Sequence, residues 1–373
     1  MKKIISLLII FAALLSLSSC GGYDPVPSTE EEERTVMTLS LDGETYNVKY
    51  ELYRAMFLTY KSSVDGGDST VWSGEDKDTY INRIHDIIVE RITDIYAAIH
   101  HAESLGINMY SGSINSRIED YVKVSVEGGV YNGETLIGYE SYDAYLESLA
   151  KLGMNYSVSE LIYRYAIALE LITEHYAGTP EDSDTGTTAT NGALKYTKED
   201  VESFYFGEDS VRYMFAFVQS EYNGAYNRAQ KIRNAMLANE GDDEAVAITI
   251  ISNSLSSATD VKRGTVIGRY SLDEENYGVI TDAAFSTPIG QVSSVVETTV
   301  GVEPGFFILY PIAKSDDHFE ENYAEIASVY VENEIGKLLL DTQTALLNSA
   351  KPSALLEELD YSAITYPTVN KSR

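Results

Sequence analysis

"VRYMFAFVQS" (residues 211–220) carries two phenylalanines, a tyrosine, a methionine and two valines in ten positions, directly after the polar run "YTKEDVESFYFGEDS" (196–210). Aromatic and β-branched residues without glycine or proline favour an extended strand. The stretch reads as the first strand of a new unit, and it either holds a binding site or is plain core. Downstream, Ala225, Ala229, Ile232 and Met236 recur at helical spacing, and "DDEAVAITIIS" (242–252) predicts a second helix. "RGTVIGRYS" (263–271) predicts a short strand beside glycines, and "EENYGVITDAAFS" (274–286) a helix. "QVSSVVET" (291–298) and "GFFILYPIAK" (305–314) predict two more strands, followed by one long helix from Phe319 to Leu347.

Upstream of the opening stretch the pattern is mostly helical. "VMTLSLDGETYNVK" (36–49) alternates and turns at Asp42-Gly43, a hairpin signal, and Tyr50 to Tyr60 reads as helix. Ile81, Ile84, Ile88, Ile92, Ile95, Ile99 and Ala102 fall on one helix face, which ends at Gly106 in a left-handed cap. Further helices are expected over Ile114–Val126, over Tyr142–Leu149, and from a capping box at Ser157–Glu160 through Tyr176. "AGTPEDSDTGTTATNGA" (177–193) is a low-complexity linker, and Thr197 with Asp200 starts a short helix. Strands cluster between 211 and 313 with helices on either side. The expected fold class is therefore α+β, a small mixed domain set between helical segments.

The chain has 373 residues, a formal net charge of −31 and 44% apolar residues, enough to bury real cores. Such a charge repels nucleic acid and anionic lipid surfaces and attracts basic or unfolded chains. Cys20 is the sole cysteine, so no internal disulfide forms. It ends "MKKIISLLIIFAALLSLSSC", two lysines and an apolar run too short to span a bilayer, the pattern of a secretory signal. "LSSC" (17–20) resembles the bacterial lipobox, which implies cleavage before Cys20 and lipid on its thiol. The Gly/Pro/Ser-rich and then acidic stretch to residue 35 reads as a flexible tether reaching at most ~50 Å.

The order strand–helix–helix–strand–helix–strand–strand resembles the parvulin family of peptidyl-prolyl isomerases. The resemblance rests on Gly264 and Gly268 around the glycine-flanked strand, then Ala283, Ala284 and Phe285, then Gly290, Val292 and Ser293. The helical part, with "HAESLGI", "LAKLGM" and a Ser-capped helix, resembles the chaperone region of SurA-like and PrsA-like foldases, related to that of trigger factor. The implied organisation is a signal peptide at 1–19, lipidated Cys20 and tether at 20–35, and a helical chaperone region at 36–205. An inserted four-stranded parvulin-like domain at 206–315, a C-terminal helix at 316–350 that packs back on the chaperone region, and a tail at 351–373 complete it.

The resemblance breaks where the family's chemistry sits. Its first strand carries a histidine where this chain has Phe215, and its last strand a second where this chain has Phe307. The family's acidic or thiol position falls near Thr265, and its proline-pocket residues fall near Asn276, Ile280 and Phe285. No histidine lies between His175 and His318. Isomerising X–Pro means twisting an amide against a barrier of ~18–20 kcal/mol, with an apolar slot for the ring and polar groups that stabilise the twisted state. Two phenyl rings supply no such groups. The resemblance thus implies a membrane-anchored extracytoplasmic foldase or holdase for unfolded or newly secreted polypeptides, with weak or absent isomerase activity.

Two alternatives stand beside it: an active isomerase with a rearranged pocket around Tyr213, Thr265 and Phe285, and a solute-binding lipoprotein. No cofactor and no nucleic acid partner are implied, and membrane contact is expected through the lipid alone. Tyr and Ile faces of the helices are the expected grip on clients, although the same periodicity describes internal core. His100, His101 and Glu103, like His85 and Glu90, are expected to be solvated rather than metal ligands, since adjacent histidines on a helix point about 100° apart. "EEEER" (30–34) reads as a solvated charge run.

Overall fold

The computed structural model describes residues 23, 26–131, 134–178, 192–220, 224–254, 256, 258–270, 274–298 and 305–369. The signal stretch, Cys20 and most of the 177–193 linker lie outside them. In chain order the elements are β1 (Thr35–Leu41), β2 (Glu44–Lys49), α1 (Tyr50–Asp65), α2 (Lys77–Ser104), α3 (Gly112–Glu127), β3 (Gly129–Tyr131), β4 (Glu134–Leu136), α4 (Tyr142–Lys151) and α5 (Tyr156–Ala177). Then come α6 (Lys198–Phe206), β5 (Ser210–Gln219), α7 (Ala225–Leu237), α8 (Asp243–Asn253), α9 (Ala258–Arg263), β6 (Thr265–Gly268), α10 (Glu274–Ser286), β7 (Val295–Thr298) and β8 (Gly305–Pro311). The chain closes with α11 (Asp316–Glu321), α12 (Tyr323–Ser349), β9 (Lys351–Pro352) and α13 (Ala354–Glu357). The protein is α+β, largely helical with small antiparallel sheets. Among the described residues, two compact units separate: 173–337, and 23–172 with 338–369.

In the unit comprising 23–172 and 338–369, β1 pairs with β2 and with β9. The hairpin closes with Leu41 opposite Glu44, and both linking residues have positive φ, 52° at Asp42 and 89° at Gly43. Only a two-residue turn of that kind matches the twist of the flanking strands, and Asp-Gly accepts it at low cost. The α2 stripe is core: Ile84, Ile88, Ile92, Ile95, Ile99 and Ala102 are all buried. Those isoleucines therefore do not form an exposed cradle. Phe57, Trp72 and Tyr361 form an aromatic knot, the first two rings meeting edge-on at 5.0 Å. The expected cap at Ser157 is replaced. Asn155 accepts from the Val158 amide at 3.0 Å, while the Ser157 hydroxyl donates to Glu51 at 2.7 Å.

In the unit 173–337 the four strands run antiparallel in the order β6-β5-β8-β7. β5 is central and its alternation sorts its side chains. Met214, Ala216 and Val218 pack with Ala229, Ile232 and Met236 of α7 and with Val246 and Ile250 of α8. Tyr213 and Phe215 turn the other way, toward Ile280 and Ala284 of α10. Burial on both sides is why this strand reads as an unbroken apolar run. α6 starts with the expected Thr197 and Asp200 as a full capping box. The expected single helix from Phe319 is instead two, broken at Asn322, whose carbonyl accepts from the Glu325 and Ile326 amides. α9 was not legible as an element. Among the described residues no helix is long and apolar enough to cross a membrane.

Candidate functional site

The α10-covered face of the four-stranded sheet is the candidate site. Register sets its geometry: Phe215 lies opposite Leu309, Phe217 opposite Phe307, and Tyr213 opposite both Pro311 and Thr265. Phe215 and Phe307 are thus diagonal neighbours on adjacent central strands, their ring centroids 5.7 Å apart. Phe217 stacks closer to Phe307, at 4.7 Å, and Tyr213 lies 6.1 Å from Phe215. Tilted ring pairs at these separations contribute roughly 0.5–1.5 kcal/mol each beyond their buried area. Gly305 makes the cluster possible, because a Cβ there would collide with the Phe217 ring and come within 2.6 Å of the Val218 carbonyl oxygen.

The other sequence-predicted positions divide. Ile280 is buried against Tyr213 and Leu309 and belongs to the cluster. Thr265 joins the same face through its pairing with Tyr213. Asn276 lies in α10, and its side chain is outside the described residues. Phe285 stands apart from this cluster, half-buried, with the Arg269 guanidinium 4.3 Å from its ring centroid. Cys20 lies outside the described residues.

A further set of polar groups gathers around the start of β5. Arg212 donates to the Arg263 carbonyl at 2.6 and 3.2 Å and to the Ala313 carbonyl at 3.1 Å. Lys314 Nζ donates to the Gly207 and Ser210 carbonyls at 2.7 and 2.8 Å. Both cations therefore staple backbone, and burial lowers their pKa values, that of Lys314 to about 8. His318 Nδ1 lies 3.0 Å from the Tyr205 hydroxyl, and its Nε2 is buried. Burial first, and then the Arg212 charge, push the His318 pKa down to about 4. Sequence reasoning missed this cluster because nothing in the spacing of Tyr205, Arg212 and His318 announces that they meet.

In the helical unit, His100 is buried rather than solvated, 2.9 Å from the Tyr46 hydroxyl. His85 Nδ1 lies 3.1 Å from the Tyr53 hydroxyl, and burial lowers its pKa. Among the described residues no group of His, Cys, Asp or Glu is arranged to hold a metal ion. An open cleft of about 400 Å³ lies between α4 and the C-terminal segment, lined by Glu147, Ala150, Lys151, Tyr366, Pro367 and Val369. Tyr110, Val130, Ile137 and Tyr366 are its unit's most exposed large apolar side chains.

No family model matches the chain, and no curated protein matches it. Among solved structures it is similar to foldase protein PrsA from Streptococcus pneumoniae, at 13% identity over 83% of this chain and 92% of that chain, with a TM-score of 0.31. It is also similar to PrsA from Bacillus subtilis, at 13% identity over 90% and 100% of the two chains, TM-score 0.23. Foldase protein PrsA from Lactococcus lactis matches at 12% identity over 89% and 99%, TM-score 0.23.

Proposed function

We propose that this chain is an extracytoplasmic folding factor, anchored to a bacterial cell membrane through lipid on Cys20, that holds unfolded or newly secreted polypeptides. Its parvulin-like part, 206–315, isomerises X–Pro bonds weakly or not at all. The observation that carries this reading is the four-stranded antiparallel sheet β6-β5-β8-β7, with Phe215 and Phe307 5.7 Å apart on its α10 face. Imidazoles are expected at those two positions in a working relative. Phenyl rings neither donate nor accept the hydrogen bonds that would stabilise a twisted amide. Apolar contact with a client survives this loss, because it is non-directional.

Paired assays on the mature chain test the proposal. In the first, a client prone to aggregation on heating is followed by light scattering, and near-stoichiometric chain suppresses the signal. In the second, a reporter whose refolding waits on a proline keeps its uncatalysed time of tens to hundreds of seconds. Substoichiometric acceleration that falls with Phe285→Ala would favour the rearranged isomerase. Absence of both activities would end the folding-factor reading.

A further inference from the structure

Tyr23 and the residues from 26 to 34 make specific contacts with the helical unit. Tyr23 stacks on Tyr142 at the start of α4, with ring centroids 4.7 Å apart and planes 30° apart. Five residues later the Ser28 hydroxyl donates to the Glu51 carboxylate, which also accepts from Asn155 Nδ2 and Ser157 Oγ, each at 2.7 Å. Glu32 accepts from the Thr29 amide at 2.8 Å and from Arg54 Nη2 at 2.6 Å. Glu32, Glu51 and Arg54 are only 8, 5 and 7% exposed. Burial alone would raise the Glu32 pKa, but the Thr29 and Arg54 donors outweigh it and hold the carboxyl below its usual range. Backbone bonds complete the strap: the Tyr50 amide donates to the Arg34 carbonyl at 2.8 Å, and the Glu51 amide to that of Glu32 at 3.2 Å. The acidic run expected to be solvated is therefore split, with Glu30, Glu31 and Glu33 exposed and Glu32 buried.

The strap shortens the leash. Two residues, Gly21 and Gly22, separate Tyr23 from Cys20, and the three Cα–Cα steps reach at most ~11 Å. We infer that the end of the helical unit carrying Glu140, Tyr142 and the Asn155–Ser157 turn is its membrane-facing surface, held against lipid headgroups by the strapped anchor. The inference rests on the proposed lipidation of Cys20. The partner is the headgroup layer itself. Exposed carboxylates stand on the strap and just before α4, at Glu30, Glu31, Glu33 and Glu140. Covalent attachment and the strap, rather than charge attraction, hold it in place, and anionic lipid opposes the approach.

The test uses the full lipidated chain with Glu140→Cys as its only free thiol, since Cys20 is the sole native cysteine. A fluorophore at position 140 is followed in phosphatidylcholine vesicles whose headgroups carry a contact-range nitroxide quencher. Intact mass first reports whether Cys20 bears lipid. The expected result is strong quenching that falls on the order of tenfold when a Gly/Ser insert of about twenty residues is placed between Gly22 and Tyr23, following the −3/2 power of tether length. Trp72 emission checks that the insert leaves the unit folded. Quenching that is weak in both chains, or unchanged by the insert, overturns the inference and leaves the anchor standing. A chain without lipid overturns both.

Discussion

Replacing Phe217 by alanine removes the ring that joins β5 to β8 on the candidate face. The side chain is 6% exposed, stacks on Phe307 at 4.7 Å, and lies over Gly305. Truncating a buried phenylalanine costs about 3–5 kcal/mol, because the surrounding strands cannot collapse into the space. Gly305 offers nothing to fill it. At 1.4 kcal/mol per factor of ten, that is roughly a hundredfold to several-thousandfold loss of protection for amides that exchange through opening of the sheet. Peptide-resolved hydrogen exchange over β5 and β8 reads the effect directly, whereas the sole tryptophan, Trp72, reports on the other unit. Protection of β8 that changes by less than tenfold would refute the reasoning, since the aromatic cluster would then not be what closes the central strands.

Other outcomes follow from the buried polar groups. Glu32→Ala leaves Arg54 buried with Nε already lacking a partner, and should lower the stability of the helical unit by about 3–5 kcal/mol, read as a shifted urea midpoint of Trp72 emission. Glu32→Gln, which keeps one acceptor oxygen for either Thr29 or Arg54 but not both, should cost less. His318 titrates at about 4 when folded against 6.5 for the free side chain, so the unfolded chain binds its proton first. Stability of the 173–337 unit should therefore fall as pH drops from 6.5 toward 4 and level off below, and His318→Asn should flatten that slope in exchange measured across the window.

The parts of the fold that sequence revealed are those specified locally. Asp42-Gly43 announces its hairpin because few residue pairs tolerate two positive φ values. The strand at 211–220 is legible because both its faces are apolar, and Thr197 with Asp200 because a capping box is complete within four residues. The parts that escaped depend on distant partners. β9 is two residues that exist as a strand only because Met37 and Thr38 lie opposite Pro352 and Lys351. Ser157 fits a cap by spacing, yet its hydroxyl is taken by Glu51, more than a hundred positions away. Glu32 looks like one of four equivalent carboxylates until Arg54 is brought to it. At the candidate site Phe215 and Phe307 were singled out through the family resemblance, whereas the place of Phe285 beneath Arg269 was not legible, because nothing in the local pattern pairs them.

The proposed folding factor holds chains without turning over their X–Pro amides, because phenyl rings of Phe215 and Phe307 stand where imidazoles would act. Exchange spectroscopy on a short X–Pro peptide, with the chain added up to equimolar amounts, measures that directly. The account predicts cis–trans interconversion at the uncatalysed rate, tens to hundreds of seconds, while peptide resonances broaden or shift on contact. Interconversion that accelerates in proportion to added chain, and that is lost with Phe307→Ala, would contradict it.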